Sequence, residues 1–168
     1  LDPVTAVNYI YQLQKKYHHE GIPLGAGEVT KASKKYTEHA LPIWEQLFPD
    51  IEPAKFNNAI ELLDFSIKNE NKKTIIVCLG PLTNIASMLK KYPENNPKIE
   101  MILWYSEWDE KPTGYNYEQN KEAYKFITDN KIPLKIVTTA ELAYESDFCS
   151  ICNEINSVYA QQISDFFC

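Results

Sequence analysis

No stretch of this chain approaches the roughly 18 consecutive apolar residues that a transmembrane helix requires, so no membrane span is expected. The N-terminus lacks a basic segment leading into an apolar run, so no signal peptide is expected and the cytoplasm is the favoured compartment. The first residue is Leu1 rather than Met, which leaves processing or trimming open. An excess of positive charge is also missing. The net charge is −6, whereas a nucleic-acid binder carries a basic patch, so nucleic acid is not an expected partner. There is no internal repeat and no low-complexity tract. What is there is ordinary for a globular protein: 168 residues, 44% hydrophobic and 24% charged, enough for one domain over 1–168 with a real core.

The four cysteines do not make a metal framework. Cys149 and Cys152 form a lone CxxC, with no second CxxC and no paired histidine to complete a zinc site. The motif lies late in the chain, away from the early strand-to-helix turn of a thioredoxin-like centre, and reads as plain thiols or a disulfide. Cys78 falls in an apolar run and reads as a small core residue. His18, His19 and His39 lie in polar surroundings and read as solvated.

The segments alternate. Helices are expected over Val4–Glu20 (apolar at Val7, Ile10, Tyr11, Leu13 and Tyr17), Pro53–Ile67 (Phe56, Ile60, Leu63 and Ile67 on one face), Thr83–Lys91, Tyr117–Asn130 and Asn153–Phe167, with a short helical or irregular piece at Leu41–Phe48. Strands are expected at Gly21–Gly27, Thr74–Leu79, Ile99–Tyr105 and Ile132–Thr138. Four strands separated by helices predict an α/β fold with a mostly parallel sheet covered by helices on both faces.

The most telling stretch is Thr74-Ile-Ile-Val-Cys-Leu-Gly-Pro-Leu-Thr-Asn-Ile-Ala86. A β-branched run turns at Gly80-Pro81 and enters a helix that Thr83 or Asn84 can cap. Pro81 fixes φ in the turn, and Gly80 permits a close backbone approach. Open α/β sheets bind ligands at the carboxyl ends of such strands. A second block, Gly114-Tyr-Asn-Tyr-Glu-Gln-Asn-Lys-Glu-Ala123, places Asn116 and Asn120 at a loop-to-helix junction where either can cap.

The wording Leu79-Gly80-Pro81-Leu82-Thr83-Asn84-Ile85-Ala86 resembles the nucleoside hydrolase family. So does the order that follows: a helix, Tyr92-Pro93-Glu94, and the strand Ile99–Trp104. The Asn116 block and Asn130-Lys-Ile-Pro-Leu-Lys-Ile-Val-Thr-Thr139 continue the likeness, which covers most of residues 4–140. The resemblance implies cleavage of the N-glycosidic bond of ribonucleosides, with calcium as cofactor. It implies a metal-side role for the backbone carbonyl of Thr83 and a ribose-side role for Asn116, with Gly80, Pro81 and Asn84 supporting the turn. Asn8 falls near a family asparagine, although an exposed helical asparagine is the favoured reading. Gly114 stands where the family often has a ribose-binding glutamate, and Asn120 where it has an aspartate. Tyr105-Ser-Glu-Trp-Asp109 replaces a Met-Gly-Gly-like turn.

The family's N-terminal Asp cluster and its later aspartate, usually beside a histidine, have no counterpart here. Asp2 is a lone aspartate, and no His-Asp pair occurs. Two explanations fit: the central part of a longer enzyme, or a shortened relative that has lost catalysis. Either way, little or no activity is expected of this polypeptide alone. Two other readings deserve weight. Glu107, Asp109 and Glu110 could serve glycoside chemistry as paired carboxylates, although a solvated loop is the favoured reading. Alternatively Trp44, Phe48, Trp104, Tyr105, Trp108, Tyr115 and Tyr117 could anchor a protein partner or a second copy of the chain, making this a scaffold in a larger assembly.

Overall fold

The computed structural model describes residues 2–28, 41–42, 44–107, 112–138 and 154. The chain divides into two compact units, residues 1–138 and residues 139–168. In the second, Glu154 alone is described, and it is helical. The rest of the expected helix Asn153–Phe167 lies outside the described residues, as do Cys149, Cys152, Cys168, His39, Trp108, Asp109 and Glu110.

The first unit opens with α1, Pro3–Tyr17. Asp2 caps it: Oδ1 accepts from the N–H groups of Val4 and Thr5 at 3.1 and 3.0 Å. The Thr5 hydroxyl donates to Oδ2, and this bond, ahead of the backbone ones, holds the carboxyl below its ordinary pKa. His18 ends the helix in the left-handed conformation, φ 58°, and both His18 and His19 are exposed. The buried positions are Val7, Tyr9, Gln12 and Gln14. Ile10 faces solvent instead, contrary to the expected apolar face. Tyr9 is covered by Trp44 and Phe48 at ring-centroid distances of 5.4 and 6.4 Å. The glutamine side chains are loop fasteners: Gln12 donates to the Glu52 carbonyl and Gln14 to the Ile22 carbonyl.

Two sheets follow. The smaller pairs β1 (Gly25–Ala26) in parallel with β2 (Asn57–Asn58). The expected helix from Pro53 therefore begins later, as α2, Ala59–Asn69. Asn58 stops it from starting earlier, since its Oδ1 accepts from the N–H of Ile60 and Glu61 at 2.9 and 3.3 Å. Ile60 and Ile67 are buried and Leu63 is partly so, but Phe56 precedes the helix and is exposed.

The larger sheet has the order β3-β4-β5, all parallel. Its strands are β3 (Thr74–Cys78), β4 (Ile99–Tyr105) and β5 (Leu134–Val137). Helix α3 (Thr83–Lys91) and a 3-10 turn over Pro93–Lys98 link β3 to β4. Two helices link β4 to β5: α4 (Tyr115–Gln119) and α5 (Lys121–Asp129). The single helix expected at Tyr117–Asn130 is thus broken at Asn120, whose backbone is non-helical and whose Oδ1 caps α5 by accepting from Ala123 N–H at 2.9 Å.

Helix α3 packs between α2 and α5. Its buried residues Ile85, Ala86, Met88 and Leu89 form one stripe. That stripe meets Ile102 and Trp104 of β4, together with Ala123 and Ile127 of α5, in the core. The strand faces separate by the period of two: Ile76, Cys78, Leu134 and Ile136 pack on this core. On the opposite face Ile75, Val77, Leu79 and Val137 are 52, 64, 77 and 46% exposed. Among the described residues, helices cover one face of this sheet.

Candidate functional site

The carboxyl ends of β3 and β4 lie side by side, since Cys78 is in register with Trp104. A cavity of about 400 Å³ opens there. Leu79 and Gly80 leave β3 on one side, Tyr105 and Glu107 leave β4 on another, and Tyr115 and Asn116 of α4 close the third.

Asn116 joins the two strand ends. Its Nδ2 donates to the Leu79 carbonyl at 3.0 Å and to the Tyr105 carbonyl at 3.2 Å. Because both partners are carbonyls, the amino group must face them. Both N–H groups are thereby used, and Oδ1 is the atom with which Asn116 can meet a ligand. The sequence expectation of an amide that both donates to and accepts from a sugar narrows to an acceptor.

The Gly80-Pro81 turn is built differently from expectation. A Cβ at Gly80 would meet no atom within 4 Å, so no close approach demands the glycine. What the position supplies is its carbonyl, which accepts from Trp104 Nε1 at 3.0 Å and lies 3.2 Å from Cys78 Sγ. Burial pushes the Cys78 thiol up, against the bond to Gly80, so it is a poor nucleophile.

Leu82, not Thr83 or Asn84, stands at the N-cap of α3, and no side chain caps that helix. Thr83 is its first residue, and its hydroxyl accepts from Asn120 Nδ2 at 3.1 Å. Asn120 thus ties the start of α5 to the start of α3 while capping its own helix. Asn84 reaches sideways to the loop after β1: its Oδ1 accepts from Glu28 N–H at 3.2 Å, and its amide lies over Gly27 where a Cβ would go. Asn8 is not among this cavity's lining residues; its Oδ1 accepts from Ala54 N–H at 2.9 Å.

Gly114 has φ 83° and ψ 179°, a region essentially confined to glycine. A Cβ there would collide with Glu107 Cδ and lie 2.7 Å from Oε1. The glutamate side chain therefore folds over the bare Cα of Gly114. Ser106 anchors it, being 2% exposed, with Oγ donating to the Thr113 carbonyl at 3.0 Å and N–H donating to the Val137 carbonyl at 3.1 Å. Sequence reasoning placed Glu107 in a solvated loop. The signal that relates it to the cavity is the positive φ of Gly114, which a lone glycine in sequence does not announce.

Calcium takes roughly six to eight oxygen ligands, with carboxylates prominent. Among the described residues no three His, Cys, Asp or Glu side chains cluster to hold a metal ion. Among the described residues Glu107 is the one carboxylate lining the cavity, beside the Leu79, Gly80 and Tyr105 carbonyls, each of which accepts a hydrogen bond and keeps a second lone pair. The described lining by itself falls short of the carboxylate-rich donor set of a calcium ion.

A larger hollow, about 780 Å³, runs along α2 beside Glu61, Asp64 and Phe65. Its carboxylates are structural. Glu61 is held low first by Lys91 and then by Tyr92. For Asp64, burial pushes the pKa up, but bonds from Lys68 and Asn95 outweigh it and the net shift is downward. These contacts fasten α2 to the end of α3 and the 3-10 turn.

The aromatic residues divide. Trp104 is fully buried and lies 5.6 Å from Tyr124; Tyr117 meets Tyr124 edge-on at 5.5 Å. Trp44 and Phe48 stack together beside Tyr9. Trp44, Phe48, Trp104 and Tyr117 thus pack against other rings, and Tyr105 and Tyr115 line the cavity.

Neither a protein-family model nor a curated protein sequence matches the chain. Solved structures do. A plant nucleoside hydrolase aligns with a TM-score of 0.80 at 19% identity, over 98% of this chain and 57% of its own. A purine-preferring ribonucleoside hydrolase from Gardnerella vaginalis aligns at 0.72 and 20% identity, over 95% and 56%. The type III effector protein XopQ, solved with adenosine diphosphate ribose, aligns at 0.72 and 14% identity, over 95% and 50%. The chain spans little more than half the length of these structures, 50–57%. At such low identity it is the backbone arrangement that is shared, and this chain has the fold of the nucleoside hydrolases over that part of their length.

Proposed function

We propose that this chain is a ribose-recognising unit of the nucleoside hydrolase type. It binds a nucleoside or another ribose-containing ligand at the carboxyl ends of β3 and β4, with little or no hydrolysis by the 168-residue polypeptide alone. The observation that carries this reading is Asn116 bridging the Leu79 and Tyr105 carbonyls at the mouth of a cavity of about 400 Å³. Its remaining acceptor suits a sugar hydroxyl, and Tyr105 and Tyr115 supply ring surface for a base. The shared fold with hydrolases, and with an effector solved with adenosine diphosphate ribose, supports ribose as the common ligand part.

Hydrolysis of an N-riboside needs an activated water and assistance to the departing base. Among the described residues one carboxylate lines the cavity, so binding and turnover are to be measured separately. Titration calorimetry with inosine and uridine, alongside a reducing-sugar assay with and without Ca²⁺, tests both halves. The expected result is saturable heat, no ribose release, and no effect of Ca²⁺. Calcium-dependent ribose release would overturn the inactivity. Absence of binding to either nucleoside would overturn the site.

A further inference from the structure

We propose that Glu107 is the residue that gives this cavity its affinity for a sugar, its carboxylate accepting from one ribose hydroxyl while Asn116 Oδ1 accepts from a neighbouring one. The inference rests on the ribose-binding reading and names the residue that would carry it.

The hydrogen-bond inventory of the cavity points this way. Both N–H groups of Asn116 are committed to the strand-end carbonyls. The Ser106 hydroxyl is committed to the Thr113 carbonyl. Of the side chains described along this lining, the Tyr105, Thr113 and Tyr115 hydroxyls can donate as well as accept, whereas Asn116 Oδ1 and the two oxygens of Glu107 only accept. Glu107 is the charged side chain of the described lining, and a carboxylate favours a ligand that brings donors, as each hydroxyl of a vicinal diol does. None of the ion pairs among the described residues uses Glu107.

The backbone supports the same assignment. Glu107 reaches across Gly114 only because that residue has no side chain, and Gly114 adopts a conformation that other residues avoid. Ser106, next to Glu107, pins residue 113 to the end of β4. Glycine at 114 and glutamate at 107 act as a pair: the first vacates the volume and the second fills it with a carboxylate.

The test is titration calorimetry of inosine, 2′-deoxyinosine and 3′-deoxyinosine against the wild-type chain and the Glu107→Ala and Glu107→Gln variants. Glu107 is exposed, so both variants should fold, and thermal melting checks this. A hydrogen bond to a charged group is strong enough that Glu107→Ala should weaken inosine about tenfold or more, with Glu107→Gln intermediate. One of the two deoxynucleosides should bind wild type more weakly than inosine, and Glu107→Ala should lose that discrimination. Gly114→Ala, which displaces the carboxylate without removing it, should also weaken inosine. If wild type binds inosine and Glu107→Ala binds it equally, the role of Glu107 falls and the ribose-binding reading stands. If wild type binds no nucleoside, both fall.

Discussion

Asn116 concentrates two tasks in one side chain. Its amino group holds two parallel strand ends together, and its oxygen is left at the cavity. Replacing the amide by a carboxylate removes the donors while keeping the shape. Asn116→Asp should cost about 1–3 kcal/mol, the penalty for setting an acceptor against acceptors and losing two bonds. A urea titration reads this as a lower midpoint with an unchanged slope. A midpoint equal to wild type would show that the strand ends do not depend on this residue. At this scale the sequence was partly legible. Asn116 was singled out, but the direction of its amide depends on where two carbonyls from distant segments meet. Glu107 was noticed only as one charge among several, because the volume above Gly114 exists only after folding.

Elements meet through turns, and two glycines that look alike in the sequence behave oppositely there. A Cβ at Gly25 would lie 2.8 Å from the Ala59 backbone, where β1 meets α2. At Gly80 it would meet nothing, and φ is not positive. Gly25→Ala should therefore destabilise by about 1–3 kcal/mol, as overpacking does. Gly80→Ala should be neutral or stabilise by up to about 1 kcal/mol through the unfolded chain. Thermal midpoints of the two variants should move in opposite directions or differ clearly; equal shifts would count against the close approach at Gly25. The three longer strands and α3 were legible because their apolar spacing is regular. The starts of α2 and α5 were misplaced because Asn58 and Asn120 cap them, and a capping asparagine inside a helix-compatible run does not disturb its periodicity. The β1–β2 pair was half missed, since two residues per strand carry no pattern.

For the whole molecule, hydrogen bonds to carboxylates and charge pairing together set the pH range of stability. The carboxyls of Asp2, Glu61, Asp64 and Glu94 are held below their ordinary values of 3.8 or 4.5. Folded-state values below the unfolded ones mean that this stabilisation is present above those values and is lost as pH falls through the lowered ones. Lys15, Lys68 and Lys91 are raised above 10.5, so their contribution is present below that value and disappears as pH rises through the raised ones. These groups are mostly solvent-facing, so the effect is modest and screened by salt. Urea midpoints should be flat from about pH 5 to 9 and fall below about pH 4. A midpoint rising on acidification would contradict the pairing. The α/β class was legible at this scale from the alternation of patterns, as was the family likeness from the Gly80–Ala86 wording. The covering of the sheet was not, because an alternating burial cannot be read from strands such as Thr74–Cys78 that are apolar on both faces.

That uncovered face has a calorimetric consequence. Ile75, Val77, Leu79 and Val137 already touch water in the folded unit. Unfolding therefore hydrates less new hydrocarbon than in a sheet sealed on both sides. The heat-capacity increment and the denaturant slope both scale with newly wetted area. This chain's stability curve is accordingly flatter with temperature than its length alone would set.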